Sequence, residues 1–591
     1  MEYQTLIDFI TSEESSWKTK RIPLTDSKDW SMYEHIQRCK NVANGWFHTG
    51  KNDGERPYDD LVTPIIDVAF RTEGFDVKDI QPYVNDAENY YKSFLVKKFH
   101  PRWAKKNELD TIIDKAVETS IIYDLVIFKN VDGVPEVQPL EDIAFCDQAD
   151  VLSGPLCFKK NYSPSELLNF KGKWDDEKID EAILMARKDK VNVSRNQQKT
   201  HTPGKYIEVY LLYGSLREDW LKEDGDPDKY VDSFYAVSFY TKADGEKDKV
   251  ILYKGKSDPI DKMFDALKID QVRSHGRACG KSIVERMFEP QVWNNYSSIK
   301  IKEKLDAAVD LFISDSEEIG NQKLSQLPKN TILKQERGAN TTRLNGEIKD
   351  MDKYMAHKDE MKQSARLLGS AGEAQLGVNP SSGTPFKLQD LVVQQGQGIH
   401  EYRQGKISTF FADRIYPKWT LPAMVKEMNQ GDRWLDELTL EELQYVAEAV
   451  ATKSANKKAV KLVLEKKPED EITQEEVNDY REMVKQEWMQ GGNKRFLEAI
   501  KDELKNLPVN CNVNIAGKQA YLAQQADKLT NFIRAIIQNP QAFAQMPGLG
   551  KSINELAEKS GLNPIDFNFI NQPLPAQPMN QSAMPEMAGQ Q

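Results

Sequence analysis

The rhythm of apolar and polar positions changes three times along the chain. Up to about residue 120 the apolar groups recur at helical spacing. Trp30 to Trp46, Pro64 to Phe70, Asp86 to Phe99 and Lys106 to Thr119 predict helices, the last two split at His100-Pro101. From Ile121 to Lys129 the run is apolar and β-branched, and Val131-Asp132-Gly133 signals a turn. Pro135 to Leu140 and Gly154 to Lys160 continue as strands, and three more follow Lys205 in YIEVYLLYG, SFYAVSFYT and KVILYKG. Between them, Ser163 can cap a helix, with Pro164 at its first position and Glu166 reaching back, and Asp175 to Lys188 predicts another helix. Residues 1–275 therefore read as an α+β body around an antiparallel sheet.

A second kind of stretch runs from Gly276 to about Pro417. A short helix is expected to end or kink at Pro290, and Gln291 to Ser314 to form a long helix with a broken apolar stripe. Next come a small β island with a strand-like Thr331 to Glu336 and a hairpin signal at Asn345-Gly346, then a polar helix over Asp350 to Leu368. A Gly/Ser/Pro-rich loop leads into a long helical segment, Lys387 to Tyr416, despite its glycines. Beyond Gly431 the helices are charged, with capping boxes at Thr439/Glu442 and Thr473/Glu476. A short strand, VNCNVNI, precedes a helix over Lys518 to Gln538. From about Asn571 the Gln/Pro/Met/Ala tail is too poor in apolar groups to order itself.

Composition narrows the function. In 591 residues there are 80 Lys+Arg against 92 Asp+Glu, a formal charge of −12 that argues against a simple basic nucleic-acid groove. The five cysteines are scattered, with no CxxC, and the histidines show no metal-ligand spacing, so no disulfide framework, metal or cofactor is expected. No signal peptide and no membrane-spanning run are read. Two near-miss phosphate loops occur. GRACGKS at Gly276–Ser282 has His275 where a P-loop needs its first glycine, and GLGKS at Gly548–Ser552 has Gln545 there. Paired acids such as Asp59-Asp60 and Asp175-Asp176 read as caps and solvated charge. No catalytic constellation emerges.

The wording GRACGKSIVERMFEPQVWNNYSSIKIKEKLDAA, the turn island and LLGSAGEAQLGVNPSSGTPFKLQDLVVQQG, taken with the order of elements, resemble the portal proteins of tailed double-stranded DNA bacteriophages. The resemblance implies a mainly helical α+β chain. Residues 1–275 would be a wing, 276–314 its junction and first stem helix, 315–349 a clip and 350–369 the second stem helix. Residues 370–386 would be a tunnel loop, 387–430 a long wing helix, 431–565 a helical crown and 566–591 a disordered tail. It implies a homo-oligomer of typically twelve subunits at one capsid vertex, made in the bacterial host cytoplasm and carried in the virion. Double-stranded DNA would pass through its channel during packaging and ejection. Its partners would be the terminase, the major capsid protein and neck or adaptor proteins, with no membrane and no catalysis of its own.

Carried onto this sequence, the DNA-facing loop positions would be Ser370, Gly372, Glu373, Gln375, Gly377, Asn379, Ser381, Ser382, Gly383 and Lys387. Lys300, Lys304, Lys358 and Lys362 would line the stem channel, and Lys323, Lys334, Arg337, Arg343, Asn345 and Gly346 would form the clip interface. Few cations in the loop suit a duplex that must slide, because each neutralised phosphate adds affinity. Two other readings stay open: a packaging ATPase built on GRACGKS, and another ring-forming neck or tail protein.

Overall fold

The computed structural model describes residues 5–20, 31–45, 58–83, 90–188, 206–270 apart from 223 and 242–246, 276–307, 311–314, 341–344, 351–371, 386–430 and 510–513, with isolated positions between 448 and 486. Helix α1 (Leu6–Thr19) starts at Thr5, whose hydroxyl accepts the Asp8 N–H at 3.2 Å. A reciprocal capping box between Ser31 and Glu34 opens α2 (Met32–Ala43), which buries Ile36, Cys39 and Val42. Helix α3 (Val62–Glu73) and strand β1 (Ile80–Tyr83) follow. Helix α4 (Tyr90–Lys106) continues through Pro101, so the expected break at His100-Pro101 is absent. There the buried His100 bonds the Tyr416 hydroxyl at 2.9 Å, a tertiary anchor that holds the helix where one backbone bond is lost. The break comes instead at Glu108, in the left-handed region, before α5 (Leu109–Tyr123).

Residues Ile121–Tyr123, expected as strand, complete α5, and the chain turns into β2 (Leu125–Val131) at a left-handed Asp124. Strand β3 (Val134–Gln138) pairs with β2 through Asp132-Gly133, both at positive φ as a tight hairpin turn requires. A side chain at Gly133 would also lie 2.0 Å from Ala423 Cβ. Next come β4 (Ile143–Phe145), β5 (Leu156–Tyr162), α6 (Pro164–Leu168), α7 (Asp176–Lys188) and β6 (Ile207–Arg217). Then follow α8 (Glu218–Leu221), β7 (Tyr230–Thr241), β8 (Lys247–Lys256), α9 (Ile260–Met263) and β9 (Phe264–Lys268). The Ser163–Glu166 capping box and the N-terminal Pro164 of α6 are as read from the sequence.

Strands β2 to β9 make two antiparallel sheets, β3-β2-β9 and the meander β4-β5-β6-β7-β8. Phe264 of β9 joins them, stacking on Phe158 at 5.8 Å and meeting Tyr213 edge-on at 5.1 Å between ring centres. Phe158 and Phe264 are both buried, and each such ring contributes roughly 2–3 kcal/mol of burial.

Past the body, α10 (Ile283–Ala307) is continuous through Pro290, and the expected stem helix stops short of its predicted end. Leu311–Ser314 forms β10 rather than helix, because it pairs antiparallel with β11 (Thr341–Leu344) in the register Leu311↔Leu344 to Ser314↔Thr341. Helix α12 (Met351–Leu368) returns. Helix α13 (Phe386–Phe410) passes into a π-helical stretch, Phe411–Thr420, and then α14 (Leu421–Gln430). Pro417 lies in that stretch, where the wider turn accommodates a residue without an N–H. The strand read in VNCNVNI is β12 (Asn510–Val513), and it pairs with β1. The fold is mixed helix and strand, compatible with a mainly helical α+β class. The expected strand over Thr331 to Glu336, the helix over Lys518 to Gln538, the capping boxes after Gly431 and the tail lie outside the described residues.

Candidate functional site: a helix hairpin and its root

Helices α10 and α12 pack as an antiparallel pair and β10/β11 pair beyond them. One seam joins the helices: Ser297 Oγ lies 2.9 Å from His357 Nδ1, and the His357 ring meets Trp293 edge-on at 6.0 Å. The side of α10 nearest the body is unusually polar for a buried face. Gln291, Asn294, Asn295, Ser297 and Ser298 are all buried. Buried amides require partners, and several of these find them in one short segment, Asp59–Leu61. Gln291 and Asn294 both donate to the Asp59 carbonyl, at 2.8 and 3.0 Å. In return Asn295 Oδ1 accepts the Asp59 N–H at 3.1 Å and Gln291 Oε1 accepts the Leu61 N–H at 2.8 Å.

The Asp59 carboxylate completes this belt by taking Lys358 at 2.9 Å and Lys362 at 3.3 Å from α12. Burial works to raise its pKa, but Lys358, Asn294 and Lys362 outweigh that and hold it below the ordinary value. One stretch ahead of α3 thus binds both helices of the hairpin.

The GRACGKS loop lies at the root of α10. Arg277 forks onto Glu285 at 3.0 and 2.6 Å and also donates to the Gly280 carbonyl at 2.8 Å. Ala278 N–H donates to the Gln148 carbonyl at 2.9 Å, Gly280 N–H to the Asp124 carbonyl at 3.4 Å, and Ser282 Oγ caps Glu285 N–H at 2.9 Å. A phosphate cradle needs amides aimed at the ligand. Here those of Ala278 and Gly280 are engaged, and a Cβ on Gly280 would stand 1.6 Å from an Asp124 carboxylate oxygen, a group that repels phosphate. Beside the loop, burial pushes the Cys39 thiol up to about 12 and His35 down to about 4, leaving the thiol protonated and the imidazole neutral at pH 7.

Behind Gly280 is a buried ionic cluster. Arg403 of α13 donates through Nε to Glu73 at 3.0 and 3.1 Å and through Nη1 to Asp124 at 2.6 Å, and its Nη2 reaches the Ser120 carbonyl at 2.8 Å. His400 Nδ1 lies 2.9 Å from Glu73, Gln404 donates to the Gly74 carbonyl, and Asp124 accepts the Asp270 N–H at 2.8 Å. Burial raises the Asp124 carboxyl above its ordinary value, partly offset by the charge of Arg403. This cluster ties α13 to α3 and α5. Sequence reasoning passed over it; its only signal is the polar trio His400, Arg403 and Gln404 at i, i+3 and i+4.

The residues expected to face a channel separate into groups. Lys358 and Lys362 hold Asp59, whereas Lys300 pairs with Glu303 at 2.7 Å and Lys304 is exposed. Ser370 ends α12 at φ +52. Lys387 and Arg343 lie on α13 and β11, where Arg343 registers with Phe312. Gly372, Glu373, Gln375, Gly377, Asn379, Ser381, Ser382, Gly383, Lys323, Lys334, Arg337, Asn345 and Gly346 fall outside the described residues, as does Gly548–Ser552. Among the described residues no helix is long and apolar enough to cross a membrane, and no group of three His, Cys, Asp or Glu side chains could hold a metal. No family model matches this chain, and no curated protein does.

Proposed function

We propose that the chain is the subunit of a phage portal, a ring of about twelve copies through which double-stranded DNA is packaged and ejected, with no catalysis of its own. The observation that carries this reading is the helix pair α10/α12, extended by the β10/β11 pair, leaving and rejoining an α+β body. In this reading residues 1–275 are the wing, α10 and α12 the stem, and the chain around β10 and β11 the clip that meets terminase and later neck proteins. Residues 370–386 form the tunnel loop, 387–430 the wing helix and 431–565 the crown. The engaged amides of GRACGKS weigh against the ATPase alternative.

Negative-stain images and native mass of the purified protein test the proposal. Rings of about a dozen subunits are expected, and a monomer under all conditions overturns it. Deletion of 370–386 should leave rings and capsids but impair DNA retention. Unchanged packaging would remove the tunnel-loop assignment.

A further inference from the structure

One amine of the α+β body has an unusual setting. Lys129 lies in β2, in register with Glu136 of β3 on one side and Phe264 of β9 on the other. Residues directly opposite one another in a ladder share a face of the sheet, and Phe264 packs on Phe158 and Tyr213 of the five-stranded sheet. Lys129 therefore points into the junction between the two sheets. Its Nζ donates to the Tyr213 hydroxyl at 2.9 Å and stands 5.0 Å from that ring's centre. Tyr213 is buried, whereas Lys129 is only half-buried.

A lysine drawn into an interior ordinarily brings a carboxylate with it. Among the described residues none pairs with Lys129. Glu136, its neighbour across the ladder, instead lies 3.9 Å from the Lys160 ammonium of β5. The partner of Lys129 is a neutral phenol, and the nearby charges are Lys160 and Glu136, of opposite effect. Burial, helped by Lys160 and only partly opposed by Glu136, lowers the Lys129 pKa to about 8. At pH 7 roughly one such amine in ten is unprotonated, against roughly one in 2,500 for an ordinary lysine.

We propose that Lys129 is a site of covalent acylation that takes the acyl group of a small acyl phosphate, with Lys160 holding the phosphate. The unprotonated Nζ attacks the acyl carbon and a C–N bond forms. The C–O bond to phosphate breaks, and the phosphate leaves with that electron pair and takes one proton from the amine nitrogen. The amide keeps one N–H for the Tyr213 hydroxyl, so the sheets stay joined while a positive charge that Lys160 opposed is removed. The site lies wholly within one chain and in its α+β body.

Acetyl phosphate is the probe. The whole protein is treated briefly near neutral pH, then digested, and mass spectrometry ranks the lysines by extent of acetylation. Lys129 should react about tenfold faster than the exposed Lys106, Lys222 and Lys229; the gain is smaller than the ratio of free amines because a less basic nitrogen is a weaker nucleophile. Its rate should level off above about pH 8 while theirs keep rising. Lys160→Gln, checked by circular dichroism for an unchanged fold, should slow acetyl phosphate at Lys129 about tenfold by removing a charge-assisted contact. The same variant should barely change labelling of Lys129 by the uncharged acetyl ester of N-hydroxysuccinimide. Acetylation of Lys129 no faster than the exposed lysines, or a rate that climbs alongside theirs throughout, overturns the proposal. Equal slowing of both reagents by Lys160→Gln overturns the choice of acyl phosphate.

Discussion

Replacing Arg403 with Met removes the guanidinium from the cluster at the end of α3 while keeping much of its volume. Glu73 and Asp124, both with fully buried side chains, would then face each other's surroundings without that charge. Breaking a buried pair from one side costs about 3–5 kcal/mol. The loss has a pH signature. Asp124 already sits above its ordinary pKa because of burial, and Arg403 is the largest influence holding it down. Without Arg403 it rises further, so at neutral pH the folded variant must either bury an uncompensated charge or take up a proton. A carboxyl whose folded pKa is raised destabilises above that pKa, and the destabilisation fades as pH falls through it. Relative to the parent at each pH, the deficit should therefore be greatest near pH 8 and smaller near pH 5.5.

Urea unfolding followed by tryptophan emission is a suitable assay, since Trp103 and Trp419 are buried in the body. Adding Glu73→Gln and Asp124→Asn should restore much of the loss by removing the stranded charges, and Asn tolerates the left-handed backbone at 124. A deficit under about 1 kcal/mol at pH 8, well below that of a broken buried pair, would refute the reasoning. So would a deficit that grows with acid.

Three further outcomes are expected. Gly280→Ala should lower the urea midpoint by an equivalent of about 1–3 kcal/mol through its clash with Asp124, whereas Gly398→Ala, with nothing within 4 Å of the added Cβ, should raise it slightly. His35 and His100 are both driven down to about 4 by burial, so the unfolded chain binds more protons than the folded one between that value and the ordinary histidine pKa. Stability should fall as pH drops from about 6.5 toward 4, and His100→Phe should flatten that slope in acid urea titrations. Asp59→Asn should cost about 1 kcal/mol at low salt and less at high salt, because its lysine partners are partly solvated and screened; salt-dependent urea midpoints of both proteins measure the difference.

Much of the body was legible because its signals are local. The alternating Tyr, Val and Phe residues of β6 and β7, the Ser163–Glu166 box and the Asp132-Gly133 turn each work within a few residues. Proline misled at Pro101, where packing held the helix against a single missing hydrogen bond, and at Pro290 the helix continues where an end or a kink was expected. Leu311–Ser314 was mistaken for helix because the strand that decides it, Thr341–Leu344, lies beyond any local window. The hairpin's root was illegible for the same reason. Lys358 and Lys362 were expected to line a channel, and their partner Asp59 arrives from far upstream; nothing near Arg403 in sequence announces Glu73 or Asp124.

The pairing of β1 with β12 also bears on how the chain is made. Ile80–Tyr83 leaves the ribosome about 430 residues before Asn510–Val513, its partner across the ladder. At roughly 5–20 residues per second, β1 waits on the order of 20–90 s with its pairing edge unfilled. An open strand edge is a template for other chains. Nascent copies on one messenger would be at greatest hazard of cross-pairing in that interval, so slower translation of the intervening stretch should lower the yield of native protein without changing its final stability.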